Sequence, residues 1–100
     1  MTRSAVVAED AQIDIREARR WYESEGGPRL DARFVQAVAA SLARVEQFPL
    51  IHPEVHGHFR RALVKPFPYM LLYEIEDLEL VVHRCIHVSR DPMRWRQRLG

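Results

Sequence analysis

The sequence predicts a single α+β domain in which a two-helix hairpin packs on a small antiparallel sheet. Apolar side chains recur with helical spacing through the first half of the chain, on both sides of a Gly-Gly-Pro break. Three runs of strand composition follow, and short turns join them. One hundred residues are the length of one domain, so we assign residues 1–100 to one unit with the order β-α-α-β-β-β.

The first half supplies a short strand and two helices. Residues 4–8 are β-prone, and Asp10 is the predicted N-cap of the first helix. Gly26-Gly27-Pro28 ends this helix, and Pro28 opens the second one, which ends before Pro49. The first helix is predicted to bury a face made of Ala11, Ile15, Ala18 and Tyr22. The second is predicted to bury Phe34, Val35, Val38, Leu42 and Val45.

The second half supplies the sheet. Residues 50–58 contain a proline and a glycine without a sustained period, which predicts a loop. Strands are predicted over residues 59–65, 69–75 and 80–87. Their short connections favour antiparallel pairing, because a parallel pair needs a crossover of about a dozen residues. The helices cover one face of the sheet, and the other is expected to be partly open for a partner.

Composition places the chain among cytoplasmic globular proteins. Hydrophobic residues make up 47% and charged residues 29%, and no apolar run has the length of a membrane span. Cys85 is the only cysteine, which excludes an internal disulfide. The net charge of +1 hides an asymmetry: residues 1–57 hold seven Lys/Arg against nine Asp/Glu, and residues 58–100 hold eight against five. The basic half is therefore the C-terminal one.

Most catalytic chemistries lack their residues. His52, His56 and His58 share one loop without the spacing of a zinc site, so no metal is expected there. His83 and His87 are expected to share a strand face about 13 Å apart, too far to bind one ion. No serine elbow or phosphate-binding glycine loop occurs, and no cofactor is expected. Metal-independent RNA cleavage stays open, since basic side chains can stabilise a phosphate and move protons. Its candidates are Arg61, Lys65, His83, His87 and Arg90.

Short motifs occur in a characteristic order along nearly the whole chain. Phe67-Pro68-Tyr69 and the later His87-Val88-Ser89-Arg90-Asp91-Pro92 are the most specific in combination. The other motifs are Asp14-Ile15-Arg16-Glu17-Ala18, Trp21-Tyr22-Glu23, Arg33-Phe34, Phe48-Pro49, Arg60-Arg61, Tyr73, Trp95 and Arg98. Together these motifs resemble the RelE/ParE superfamily of type II toxin-antitoxin toxins, which includes the plasmid stabilisation type. The resemblance implies a helical hairpin on an antiparallel sheet.

Departures from the family pattern favour the ParE branch. In the RelE branch, which cleaves messenger RNA on the ribosome, Arg61 and Arg90 match two basic residues of the catalytic cluster. Met70 and Leu63 stand where that branch has basic residues, and Arg96 stands where it has a tyrosine. Losing one preorganised donor can cost about 10²–10³ in rate. The resemblance therefore implies a ParE-like toxin rather than an enzyme.

Three functional hypotheses follow from the resemblance. The first is a toxin that arrests growth by binding and poisoning DNA gyrase and is neutralised by a cognate protein antitoxin. The second is a RelE-like endoribonuclease that uses Arg61, Arg90 and His87 without a metal, and the third is an inactive module that only binds an antitoxin. Neither membrane binding nor sequence-specific DNA binding by this chain alone is expected.

Two groups of residues are predicted to carry these functions. The antitoxin is expected to bind apolar residues that the helices leave outside the core, namely Ile13, Trp21 and Leu30. The functional basic surface is predicted to comprise Arg60, Arg61, Lys65, His87, Arg90 and Arg94.

Overall fold

A five-stranded sheet with the spatial order β1-β5-β4-β3-β2 forms one layer of the fold in a computed structural model, which describes residues 4–89. Its strands are β1 (Ala5–Val7), β2 (Glu54–His56), β3 (Phe59–Leu63), β4 (Tyr69–Glu76) and β5 (Glu79–His87). Strands β2 to β5 pair antiparallel, as their short connections predict. β1 pairs parallel with β5, so the sheet is mixed. β1 leads into helix, and no short turn constrains its direction.

Strand β2 lies where the sequence predicts only loop. Residues Gly57 and His58 connect it to β3, and Gly57 has a φ of 57°. This conformation favours glycine, so the residue that suggested an irregular loop makes a tight hairpin turn. β3 ends at Leu63, and Lys65 therefore lies in the following turn, next to the cis Lys65–Pro66 peptide bond.

The helical layer is α1 (Glu9–Gln47), which bends at Gly27 into a first arm, residues 9–26, and a second arm, residues 28–47. Gly27 has φ 78° and ψ −173°, a conformation open essentially to glycine alone. The N-cap is Ala8, without a side-chain hydrogen bond, and not Asp10, which lies in the first turn. The Glu46 carboxylate accepts a hydrogen bond from the Ala5 amide at 2.8 Å, so the second arm returns to the beginning of the chain.

The core lies between the two arms and the sheet. The face predicted for the first arm is confirmed, with Ala11 and Ala18 buried. In the second arm Val35 is exposed, contrary to prediction, and Ser41 is fully buried. The Ser41 hydroxyl donates to the Leu63 carbonyl at 3.1 Å, which satisfies a polar group inside the core. Aromatic rings from both layers meet with centroids 4.9–6.0 Å apart, from Tyr22, Phe34, Phe67 and Tyr69.

A bulge in β5 changes which side chains face the helices. Leu72 pairs with Arg84 and Tyr73 pairs with Val82, so His83 is an extra residue on β5. The His83 ring packs edge-on against Phe59, which lies on the face of the sheet opposite α1, called here the far face. The His87 ring packs edge-on against Tyr69, a member of the helix-side core. The prediction that His83 and His87 share a face is wrong, because one inserted residue shifts the alternation.

The α+β class is thus confirmed, with one bent helix and a mixed sheet in place of two separate helices and an antiparallel sheet.

Candidate functional site

An ion pair between the two arms of α1 holds the helical hairpin closed. Arg19 donates to Asp31 through Nε at 2.8 Å and through a terminal nitrogen at 3.1 Å, a bidentate geometry. Hydrogen bonding to Arg19 lowers the pKa of Asp31, and the same bond raises the pKa of Arg19. Because Asp31 follows the bend by only four residues, this pair fixes the angle between the arms where they separate.

The outer surface of the hairpin carries two of the three residues predicted to bind an antitoxin. Trp21 is 59% exposed and Ile13 is 37% exposed. Leu30 is only half-buried, and its Cδ2 lies 2.6 Å from the position that a Cβ would take at Gly26. Leu30 therefore fills the space beside the bend, whereas Ile13 and Trp21 have apolar surface to offer to a partner.

The segment that follows α1, residues 48–53, is called here the tip loop, and sequence reasoning missed it. Phe48, Leu50 and Ile51 are 47%, 70% and 70% exposed, so three apolar side chains project within four residues. The signal was visible as an apolar run around Pro49 in a segment predicted as loop. Such a concentration of apolar surface is typical of a contact site.

Buried polar groups hold the backbone of the tip loop in place. The Tyr73 hydroxyl donates to the Pro49 carbonyl at 2.5 Å, and His52 Nδ1 lies 3.1 Å from the Tyr73 hydroxyl oxygen. Arg60 donates to the carbonyls of His52 and Leu50 at 2.6 and 3.3 Å. Burial raises the pKa of Tyr73 to about 12 and lowers the pKa of His52. The loop is therefore a fixed projection.

The residues of the predicted basic surface have different surroundings. The Arg60 side chain is only 19% exposed and is engaged with the tip loop. Arg61 and Lys65 are exposed, and the Arg61 guanidinium makes no ion pair within residues 4–89. His87 Nδ1 accepts a hydrogen bond from the Ser89 amide at 3.2 Å. Arg90 and Arg94 lie outside the described residues.

The register separates Arg61 from His87, the two described residues of the ribonuclease hypothesis, while His83 lies on the far face with Arg61. Arg61 pairs with Leu72 and lies on the far face. His87 pairs with Tyr69, whose ring belongs to the helix-side core. A general acid or base has to come within hydrogen-bond reach of the same phosphate that a cation stabilises. The sheet lies between these two side chains, so they do not form one site.

A second ion pair joins the first arm to strand β5. Asp14 accepts bonds from Arg84 Nε at 2.7 Å and from the Cys85 amide at 2.9 Å. The β1 pairing stops at Val82, so Asp14 satisfies an amide of β5 that β1 does not reach. Burial raises the pKa of the nearby Cys85 thiol to about 12, so this thiol is not a nucleophile at neutral pH.

Comparison with known proteins identifies the family. The family model described as the ParE toxin of the type II toxin-antitoxin system, parDE, matches residues 6–92. The fold resembles a solved structure of the chromosomal ParDE toxin-antitoxin system from P. aeruginosa, with a TM-score of 0.79 and 16% identity, over 88% of this chain and 98% of that one. No curated protein matches the sequence. Among the described residues, no helix is long and apolar enough to cross a membrane. Since the family model spans most of its length, the chain belongs to the ParE family of type II toxin-antitoxin toxins.

Proposed function

We propose that this protein is cytoplasmic and arrests cell growth by binding and poisoning DNA gyrase. A cognate protein antitoxin neutralises it. The observation that carries the proposal is the match of the ParE toxin model over residues 6–92. The toxin acts by protein binding, since the ParE branch that the sequence resembles is associated with gyrase rather than with RNA cleavage.

The positions of the basic residues support binding over catalysis. Arg61 and His87 lie on opposite faces of the sheet, so a ribonuclease would have to work without one of them. Met70, which stands where the ribonuclease branch has a basic residue, is 7% exposed and packs in an apolar cluster with Leu72. A buried methionine offers no cation to a phosphate.

The outer surface of the helical hairpin supports binding of an antitoxin. Trp21 and Ile13 provide exposed apolar area on the first arm. A disordered antitoxin segment that folds on binding needs such area to offset its loss of conformational entropy. We assign these two residues to the antitoxin contact and leave the gyrase contact to the basic half of the molecule, including Arg61 and Lys65.

The test of the target is a pulse-label experiment in cells shortly after induction, following DNA, RNA and protein synthesis separately. Early loss of DNA synthesis with translation intact is the expected result. An early block of translation that Arg61→Ala abolishes would assign the protein to the ribonuclease class instead. Arg29→Ala, an exposed arginine at the start of the second arm, is the matched control. If induction does not affect growth, the protein is a module that only binds an antitoxin.

A test with purified components separates binding from indirect effects. The toxin is mixed with DNA gyrase and supercoiled plasmid, and cleaved plasmid is measured after denaturation of the enzyme. A poison stabilises the cleaved complex, so linear DNA should accumulate, and added antitoxin should prevent it. If gyrase stays fully active at saturating toxin and no cleaved plasmid accumulates, gyrase is excluded as the target.

A further inference from the structure

Three potential metal ligands meet on the far face of the sheet, near the turn between β4 and β5. Donor atoms of Glu74, Glu76 and His83 all lie within 4.8 Å of one another. His83 Nε2 is 3.1 Å from the nearer Glu76 oxygen. The cluster lies on the face of the sheet opposite the helical hairpin, and neither the gyrase nor the antitoxin proposal uses its residues.

The fold builds this cluster from two adjacent strands. Glu74 and Glu76 are two residues apart on β4, so both side chains lie on the far face with Leu72. The bulge in β5 aims His83 at the same face. Phe59 of β3 packs edge-on against the imidazole, with centroids 5.1 Å apart, and so orients the ring. The donors therefore stand on paired strands rather than on a loop.

The surrounding charges favour a cation. Glu76 lies directly opposite Glu79 in the β4–β5 ladder, and Asp77 occupies the turn between them. Like charges facing each other across two strands are destabilising. Within residues 4–89, Glu76 pairs with His83 and forms no ion pair with a lysine or an arginine. A divalent ion between these carboxylates would offset their repulsion.

We propose that Glu74, Glu76 and His83 bind a divalent transition-metal ion of the zinc class. One imidazole nitrogen and two carboxylate oxygens are a donor set that zinc and its neighbours accept, with bonds of about 2.0–2.2 Å. Such bonds place the donors of a tetrahedral site roughly 3.3–3.6 Å apart. The His83–Glu76 separation is already close to that value, and rotation of the half-exposed Glu side chains brings in the third donor. The fourth position is open to water or to a donor from a partner.

The chain contains a natural control for this site. His58 Nδ1 lies 3.5 Å from a Glu54 oxygen, which is another imidazole–carboxylate pair. The guanidinium of Arg60 stands 3.9 Å from the other Glu54 oxygen, and its charge opposes a metal ion there. This pair also lacks a second carboxylate in the described part of the chain. Removing His58 should therefore not affect the proposed site.

The experiment is a calorimetric titration of the full-length protein with Zn²⁺, repeated for Glu74→Gln, His83→Gln and the control His58→Gln. The first two variants should lose one binding event or weaken it at least about tenfold, and the control should keep it. Far-UV circular dichroism without metal tests whether each variant is folded. Because Glu74→Gln keeps the side-chain shape, it tests the site even if His83→Gln loses structure.

Spectroscopy with Co²⁺ gives an independent readout. Binding at this site should produce visible d–d absorption without the near-ultraviolet band of a thiolate ligand, since Cys85 is not a donor. The same spectrum and the same Zn²⁺ affinity in wild type, Glu74→Gln and His83→Gln would overturn the proposal, as would the absence of binding by the wild type.

Discussion

The Arg19–Asp31 ion pair makes hairpin closure sensitive to acid. Because the pKa of Asp31 is lowered in the folded state, its stabilising effect is present above the ordinary carboxyl pKa of 3.8 and is lost as the pH falls through the lower folded value. Asp31→Asn should therefore lower the denaturant midpoint at pH 7, and the gap to wild type should narrow below pH 3.8. Urea titrations across this range measure both effects.

The matched control for Asp31→Asn is Glu25→Gln, an exposed acid of the first arm that precedes the bend. It should change the midpoint little at any pH. If the difference in denaturant midpoint between Asp31→Asn and wild type stays constant from neutral to strongly acid pH, the pairing with Arg19 does not operate as an ion pair.

Asp14 carries a larger share of stability because it satisfies two partners. Asp14→Ala leaves the Arg84 guanidinium and the Cys85 amide without their acceptor, and both Asp14 and Arg84 side chains are only 13% exposed. We expect a loss of about 2–4 kcal/mol in the free energy of unfolding. Asp10→Ala, in the exposed first turn, is the control and should cost far less. Equal losses in chemical denaturation would contradict this role.

At the scale of single residues, the sequence predicted the apolar positions better than the polar ones. Helical spacing identified Ala11, Ala18 and Phe34 as core. Helical spacing also predicted that Val35 is buried, but Val35 is exposed. Periodicity does not reveal that the polar Ser41 is buried, because its hydroxyl bonds to the Leu63 carbonyl. Arg60 likewise resembled a surface cation, since its partners are loop carbonyls that no sequence pattern encodes.

Among the structural elements, the bend of α1 depends on one residue. Gly27 has a positive φ with extended ψ, a combination that side chains disfavour. Gly27→Ala should cost about 1–3 kcal/mol of folding stability, although the space around a Cβ there is open. Thermal unfolding checks the change, with Glu25→Ala as a control at an exposed helical site. An unchanged midpoint for Gly27→Ala would mean that the bend tolerates another backbone conformation.

The tip loop should lose its fixed shape without the Tyr73 hydroxyl. Tyr73→Phe keeps the ring in the core and removes the bond to the Pro49 carbonyl, at an expected cost of about 1–2 kcal/mol. Amide hydrogen exchange of residues 48–53 should accelerate, while that of β4 should not. Tyr22→Phe is the control, since it removes a hydroxyl from the same core without touching the loop. Protection of residues 48–53 equal to that of wild type would contradict the proposed anchoring.

Helices and strands were predictable from the sequence where an apolar pattern extends over many residues and the connections are short. The antiparallel order of β3, β4 and β5 and the break at Gly26-Gly27-Pro28 were both predicted. The bulge at His83 was not, because it inserts one residue without altering composition. That single insertion is also why the sequence could not place His83 beside Glu74 and Glu76, and why histidine spacing alone predicted no metal site.

For the whole molecule, the surfaces divide by chemistry. Exposed apolar residues project from both arms, from the tip loop and, at Leu78, from the β4–β5 turn, while the exposed Arg61 and the carboxylate cluster lie on the far face. The resemblance predicted the family, which the ParE model match confirms. It could not assign the proposed antitoxin and target contacts to particular surfaces, since that assignment depends on which side chains the fold leaves exposed.

The exposed Trp21 gives the sharpest test of how an antitoxin is recognised. Aromatic side chains bury a large area in interfaces and often dominate their energy. Trp21→Ala should weaken antitoxin binding by about 2 kcal/mol, roughly 30-fold in Kd, without lowering stability, because the side chain is 59% exposed in the free protein. Leu78→Ala is the matched control, an even more exposed apolar residue that lies in the β4–β5 turn and outside the hairpin. Affinities measured by calorimetry should separate the two variants. If both bound the antitoxin as tightly as wild type, Trp21 would not be part of the contact, and the tip loop would be the next surface to test.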